Sequence, residues 1–422
     1  MKKHHYLYWL TALVVLFTIT GCSVVSAFSP TETPTNTPQP TLTPTPTVTP
    51  TPTVIPFYLD ATVWSGNIQV PILLYHRFVP DYANTDATQM RLSDFLAEIQ
   101  LLYDNGFYLV SLDDWLNGTF VVPVGKKPLI ITLDDLWFAD QLYINPDGTP
   151  SQYSGLGVLW QFSQEHPDFG YSAAVFSNMG DKYYGDKQVG EVFQLGDGDA
   201  WKTKLGETIA WAVDHGIEPY NHLYKHPLLS IMTSNSDIQW QIEMNDFDTR
   251  YFLSKVGRED LFPKLGNIIA LPFGEWPATE SGINVLKNYK TPEDKPLLAI
   301  MEAYNLGNQE MTPSIFSEGF EPFNIARLTA SKYMIEWIVE QKDTIPTAQN
   351  CQLGPLDENQ SGSLDVIQTA IQTAVNAQVC PEGVYNVNGS VFVAKAGVVT
   401  LFKANTPGAG PAQTTPTATV SP

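Results

Sequence analysis

Pro128-Leu129-Ile130-Ile131-Thr132-Leu133-Asp134-Asp135 is an apolar run that stops on two adjacent carboxylates. A stretch this short and this continuously apolar reads as a strand buried on both faces. Comparable runs recur at 70–75, 107–112, 171–176, 217–220, 267–271, 297–301 and 323–326. Between them, 92–103, 156–165, 200–215, 237–256, 281–288 and 331–342 carry apolar residues at three-to-four spacing, the period of an amphipathic helix. The alternation predicts an α/β fold, a distorted (β/α) barrel of seven or eight parallel strands. An open doubly wound sheet is the alternative, but no GxGxxG turn follows any strand.

Working outward, the polar residues able to do chemistry gather at predicted strand C-termini. His76 follows the first strand, Asp134 and Asp135 end the third, His222 follows the fifth, and Pro272-Phe273-Gly274 follows the sixth. In a β/α barrel those ends converge on one mouth. His222 and His226 are four residues apart, so on a helical turn both imidazoles would leave one face and could share Zn²⁺ or a similar ion. The same spacing also occurs on ordinary helices. Two carboxylates in a partly desolvated mouth disfavour double ionisation, and a divalent cation removes that penalty. One Asp would then complete a His₂Asp set and the other would stay free as a base. A helix-capping role for the pair is the plainer alternative, and a lone His76 after a strand can equally be a hydrogen-bonded structural imidazole.

The rest of the chain sets the compartment. Met1-Lys2-Lys3, a mostly apolar run from Leu7 to Ile19 and the ending Thr20-Gly21-Cys22 read as a secretion signal over 1–22, resembling a lipobox in which Cys22 is lipidated. From Pro30 to Pro56, nine prolines and eleven threonines without a Lys or Arg preclude a core, so 23–56 reads as an extended stalk. The barrel is assigned to 57–343, a small segment to 344–403 and a disordered Thr/Pro tail to 404–422. With Cys22 given to lipid, Cys351 and Cys380 are free to pair in an oxidising compartment, closing a loop of about thirty residues. The expectation is an extracytoplasmic, lipid-anchored monomer. A net charge of −21 repels phosphate backbones and excludes nucleic acid as an expected partner. Only 16% of residues are charged, against about a quarter in average proteins, which suits a protein that handles neutral polymers. His166 and His215 lie in or after amphipathic helices and read as surface or packing residues.

In order and position, these motifs resemble the polysaccharide deacetylases, the NodB-homology enzymes of carbohydrate esterase family 4. Ile131-Thr132-Leu133-Asp134-Asp135 is similar to the TFDD motif, which implies Asp134 as catalytic base and Asp135 as metal ligand. Asn221-His222-Leu223-Tyr224-Lys225-His226-Pro227-Leu228-Leu229-Ser230 is similar to the HxxxH(P)xLS segment, implying His222 and His226 as the other ligands. Ser172-Ala173-Ala174-Val175-Phe176 resembles the strand between them, and Leu271-Pro272-Phe273-Gly274 the loop lining the substrate groove. Tyr75-His76-Arg77-Phe78 resembles the opening of the permuted subgroup acting on poly-N-acetylglucosamine-like polymers, which implies His76 as general acid. The resemblance implies a zinc-type divalent cofactor and an N-acetylated polysaccharide substrate. Trp137 and Trp276 flank the motifs and are candidates, with Pro272, Phe273 and Gly274, for sugar contact.

The chain also departs from that pattern. Leu136 replaces the usual Gly, an insertion runs from Phe138 to Gly155, no His follows His226, and the Arg that orients the base in many members is absent from the Leu271 loop. Two further readings stand beside the enzyme: a degenerate esterase-fold protein that binds glycan without turnover, and a stalked surface scaffold whose 344–402 segment binds a partner.

Overall fold

Short β-branched runs become strands here because each is flanked by a turn or helix signal and finds a parallel neighbour. The computed structural model describes residues 56–405 apart from 66–68, 136, 181–182, 185–186, 189–199, 304–310 and 361. Cys22, the 1–22 signal, the stalk up to residue 55 and the tail from 406 lie outside the described residues, as does Leu136.

The chain enters through β1 (Phe57–Trp64) and then lays down eight short strands: β2 (Ile72–Tyr75), β3 (Phe107–Leu109), β4 (Lys127–Asp134), β5 (Ala173–Ser177), β6 (Ile217–Asn221), β7 (Ile268–Ala270), β8 (Ala299–Met301) and β9 (Leu328–Thr329). The order is β8-β7-β6-β5-β4-β2-β9, with β3 paired to the start of β4, and every pairing is parallel. Seven of the eight residues of β4 are buried, as a strand covered on both faces requires. Helices Leu92–Asp104, Gly155–Glu165 and Ala200–Asp214 supply the outer layer, burying Phe95, Ile99 and Leu102, then Leu156, Leu159 and Phe162, then Leu205 and Ile209. The fold is the distorted (β/α) barrel expected.

The last strand differs from the expectation at 323–326. Glu321-Pro322-Phe323-Asn324 is instead a turn closed by Asn324 N–H onto the Glu321 carbonyl, with Pro322 at the position that suits its fixed φ. Beyond the turn the chain bridges the barrel's two edges. Ile325 pairs with Met301 of β8, while Leu328 and Thr329 pair with Leu73 and Leu74 of β2. Arg327 sits between these two pairings and is 1% exposed.

The boundary at 57 also moves. β1 does not join the barrel but pairs with β10 (Gln349–Leu356) and β11 (Gly383–Val387) in an antiparallel sheet completed by β12 (Ser390–Lys395) and β13 (Val398–Lys403). Its alternating burial suits a one-sided sheet, not a barrel stave. Helix Leu364–Asn376 covers this sheet with Ile367 and Ile371, and the expected disulfide joins Cys351 to Cys380 with Cα atoms 5.8 Å apart. Among the described residues no helix is long and apolar enough to cross a membrane.

Candidate metal centre and active site

The register of the parallel strands decides which side chains meet. Asp134 lies level with Phe176, and Phe176 with Tyr220; the His222 N–H then continues the ladder by donating to the Ser177 carbonyl at 2.9 Å. Asp134 and His222 therefore emerge beside each other, with Asp134 Oδ2 3.6 Å from His222 Nε2. Just past β4 the chain turns at Asp135, whose φ of 76° is left-handed, a conformation Asp adopts more readily than most side chains.

His222 and His226 are brought together as expected, but not on a helix. Leu223 and His226 both have positive φ, 61° and 49°, so the HxxxH segment is a tight turn. Pro227 disfavours helical geometry at His226, and the Asn221 side chain holds the turn by accepting from the Leu223 N–H at 2.9 Å. Asn221 is itself anchored through its amide to the Ile242 carbonyl and to Asp246, which also accepts from Tyr289. Left-handed backbone at Asp135, Leu223, His226 and Phe273 concentrates local strain around one point.

That point is a candidate ion site. One donor atom from each of Asp135, His222 and His226 lies within 4.8 Å of the other two, the one such group among the described residues. The donor chemistry, one carboxylate and two imidazoles, fits a zinc-type ion. His222 Nδ1 lies 2.9 Å from the Ala270 carbonyl; donating there fixes the tautomer that leaves the Nε2 lone pair facing the group. Burial pushes the His222 imidazole down to about 3, which outweighs the opposing pull of Asp134 and keeps it neutral, the form that ligates metal.

Asp134 stays out of this set and is gripped by Arg327. The guanidinium reaches the two carboxylate oxygens at 2.6 and 2.7 Å, donates from Nε to the Glu302 carbonyl at 2.7 Å, and lies 3.3 Å from the Thr132 hydroxyl. Burial alone would raise the Asp134 carboxyl, but Arg327, aided by His222, reverses this and holds it well below the usual carboxylate range. The cation on Asp134 thus comes from the barrel-closing segment and not from the Leu271 loop. His76, half-buried after β2, is close enough to act on the Asp134 charge.

Around the centre, Phe273 is 53% exposed and packs its ring 4.5 Å from that of His226, while Pro272 is buried beneath it and Gly274 takes the positive φ that the turn needs. Trp276 is half-buried, donates its indole N–H to Glu302 at 3.3 Å, and lines a cavity of about 460 Å³ with Lys287, Phe323 and Asn324. Trp137 does not fit the expected sugar contact. It is fully buried in the barrel's core and offers no face to a sugar ring. His166 packs on Tyr103 and Phe162, and His215 stacks on Trp211, so neither joins the site.

The described chain is similar to solved deacetylases. These include the Streptococcus pyogenes deacetylase PplD in complex with acetate (13% identity, TM-score 0.42, 65% of this chain and 98% of that one). IcaB from Ammonifex degensii matches at 13% identity and TM-score 0.43, over 65% of this chain and 97% of its own. BC0361, a polysaccharide deacetylase from Bacillus cereus, matches at 14% and 0.42, over 65% and 69%. No protein-family model matches the chain, and no curated protein matches it in sequence. At this depth of likeness, function has to be read from the side chains themselves.

Two residues of the site were not anticipated. Arg327 had one signal, a lone cation inside the apolar stretch Ile325-Ala326-Arg327-Leu328. Gln141, in the insertion, had none.

Proposed function

We propose that the protein hydrolyses N-acetyl groups from an N-acetylglucosamine-type polysaccharide, with a divalent metal of the zinc class. The observation that carries this reading is the Asp135–His222–His226 donor cluster beside an ionised, arginine-held Asp134, all at strand C-termini of one barrel. A divalent cation held by those three residues would supply Lewis acidity toward the acetyl carbonyl and lower the pKa of water.

The side chains account for the remaining steps. Asp134 is kept ionised by Arg327, and its Oδ2 faces the donor cluster, so it is placed to take the proton of the attacking water. His76 delivers a proton to the nitrogen as the carbon–nitrogen bond breaks, releasing acetate and a free amine. Phe273 and Trp276 offer apolar faces for a sugar ring, and Asn324 and Lys287 give the cavity beside Trp276 a polar rim. Separating ligand from base tests the assignment. Asp135→Asn should lose metal and acetate release together, whereas Asp134→Asn should keep the metal and lose release by about a hundredfold or more. Full activity in Asp134→Asn would refute it.

The anchoring of the chain outside the membrane through lipid on Cys22 is proposed from the sequence alone. Incorporation of labelled fatty acid into the wild type and not into Cys22→Ser supports it; equal labelling rejects it.

A further inference from the structure

Gln141 lies in the Phe138–Gly155 insertion, belongs to no strand or helix of the barrel, and is fully buried. Its side-chain Nε2 donates to two backbone carbonyls, that of His76 at 2.8 Å and that of Asp134 at 2.7 Å. Its Oε1 accepts from the Phe138 N–H at 3.0 Å. Both amide hydrogens are therefore spent on the ends of two adjacent strands, β2 and β4, at the residues that carry the acid and base of the reading above. A primary amide suits this task. Leucine has no donor, a protonated glutamic acid has one hydrogen for two carbonyls, and asparagine is one methylene short.

The turn that carries Gln141 is fixed in turn. The Leu156 and Gly155 N–H groups donate to the Gln141 and Asp140 carbonyls, each at 2.9 Å, so the first residues of helix Gly155–Glu165 hold it from one side. From the other side, Arg77 donates to both Asp140 oxygens at 2.9 and 2.8 Å and lays its guanidinium 3.7 Å over the Phe138 ring. Because Arg77 directly follows His76, the strand end is tied to the insertion by two consecutive residues.

We propose that Gln141 is a positioning residue that sets the spacing between His76 and Asp134, so that the insertion after the Asp pair serves the alignment of acid and base. The roles of those two residues rest on the proposed deacetylase reading; the juxtaposition does not. An ångström of slack between reacting groups can cost about a hundredfold in rate without loosening substrate binding.

The test uses the full chain loaded with Zn²⁺, carrying Gln141→Leu or the isosteric Gln141→Glu, with and without His76→Ala. Histidine ring resonances are followed by NMR, and acetate release from N-acetylglucosamine oligomers is measured. In Gln141→Leu the His76 resonances should move while those of His222 and His226 and the zinc content stay. The turnover number kcat should fall about tenfold to a hundredfold with KM changed less than about twofold, and Gln141→Glu should fall between. In the His76→Ala background, Gln141→Leu should change kcat by less than about twofold, since the two losses share one cause. Unmoved His76 resonances, additive losses, or zinc lost together with activity would overturn the proposal. If Gln141→Leu does not fold, the same criteria apply to Gln141→Glu. Should the wild type release no acetate, the resonances still decide: moved His76 signals uphold the spacing role while the deacetylase reading falls, and unmoved ones reject both.

Discussion

Arg327 is the side chain whose removal should say most about this centre. Its guanidinium is fully buried and bonds both oxygens of a carboxylate that is 1% exposed. In Arg327→Met the carboxylate would be left desolvated with no fixed cation, and breaking one side of a buried, hydrogen-bonded ion pair costs about 3–5 kcal/mol. The same loss acts on protonation. Burial, the largest influence on Asp134, pushes its carboxyl up, and Arg327 is the main group holding it down, with His222 and His76 after it. Without Arg327 the base should be protonated near neutral pH. Acetate release should then fall about a hundredfold at pH 7 and recover about tenfold per pH unit as the medium is made basic, until Asp134 ionises. Arg327→Lys keeps the charge but not the fork, and should fall between. A companion Asp134→Asn/Arg327→Met variant, with both charges gone, should regain most of the stability and none of the activity. The assays are guanidinium-induced unfolding and a pH–rate profile. Wild-type stability and an unchanged pH 7 rate in Arg327→Met would refute the reasoning.

Other expectations follow from single observations. His222 is buried neutral with its imidazole near 3, whereas an unfolded histidine titrates near about 6.5, so the unfolded chain binds the extra proton between those values. Metal-free protein should hold this stability above about pH 6.5 and lose up to about 1.4 kcal/mol per unit as pH falls through the window. Denaturant titrations at stepped pH should show the slope, and His222→Gln should flatten it. Asp134, held low, adds its own loss only below about pH 4. Cys351→Ser opens a cross-link spanning 29 residues and should cost about 3 kcal/mol in unfolding, with zinc content unchanged because the bridge lies in the second sheet. An effect on metal content would contradict that separation. Trp276→Ala should lower kcat/KM for oligomers by about tenfold while leaving a minimal acetylated monosaccharide within about twofold; equal losses on both would make Trp276 structural.

The barrel was legible because parallel strands buried on two faces leave a local trace, and the 128–133 run could hardly be anything else. The Asp134-Asp135 pair and His222 were legible for a similar reason, because they stand at or just past the ends of such strands, whereas Asp135 and His226 were singled out as ligands by spacing and motif resemblance. What was not legible depends on partners distant in sequence or on backbone conformation. Arg327 reaches Asp134 across 193 residues, and nothing near either residue announces the other. The histidine turn takes its shape from left-handed Leu223 and from Pro227, so the helical geometry suggested by the spacing does not form. Trp137 adjoins the Asp134-Asp135 pair in sequence, but its side chain is fully buried in the core. The β1 residues alternate well enough to read as a strand, yet their partners, β10 and β11, lie in the last quarter of the chain.

The most direct test of the centre is metal stoichiometry coupled to acetate release. The full chain, purified in buffer containing Zn²⁺ and dialysed, is assayed for bound metal and for acetate from N-acetylglucosamine oligomers, beside His222→Ala. The proposed function predicts about one ion per wild-type chain, release that stops with a chelator and returns with Zn²⁺, and neither ion nor release in the variant. A wild-type chain that retains no metal, or one whose acetate release is indifferent to the chelator, would contradict it.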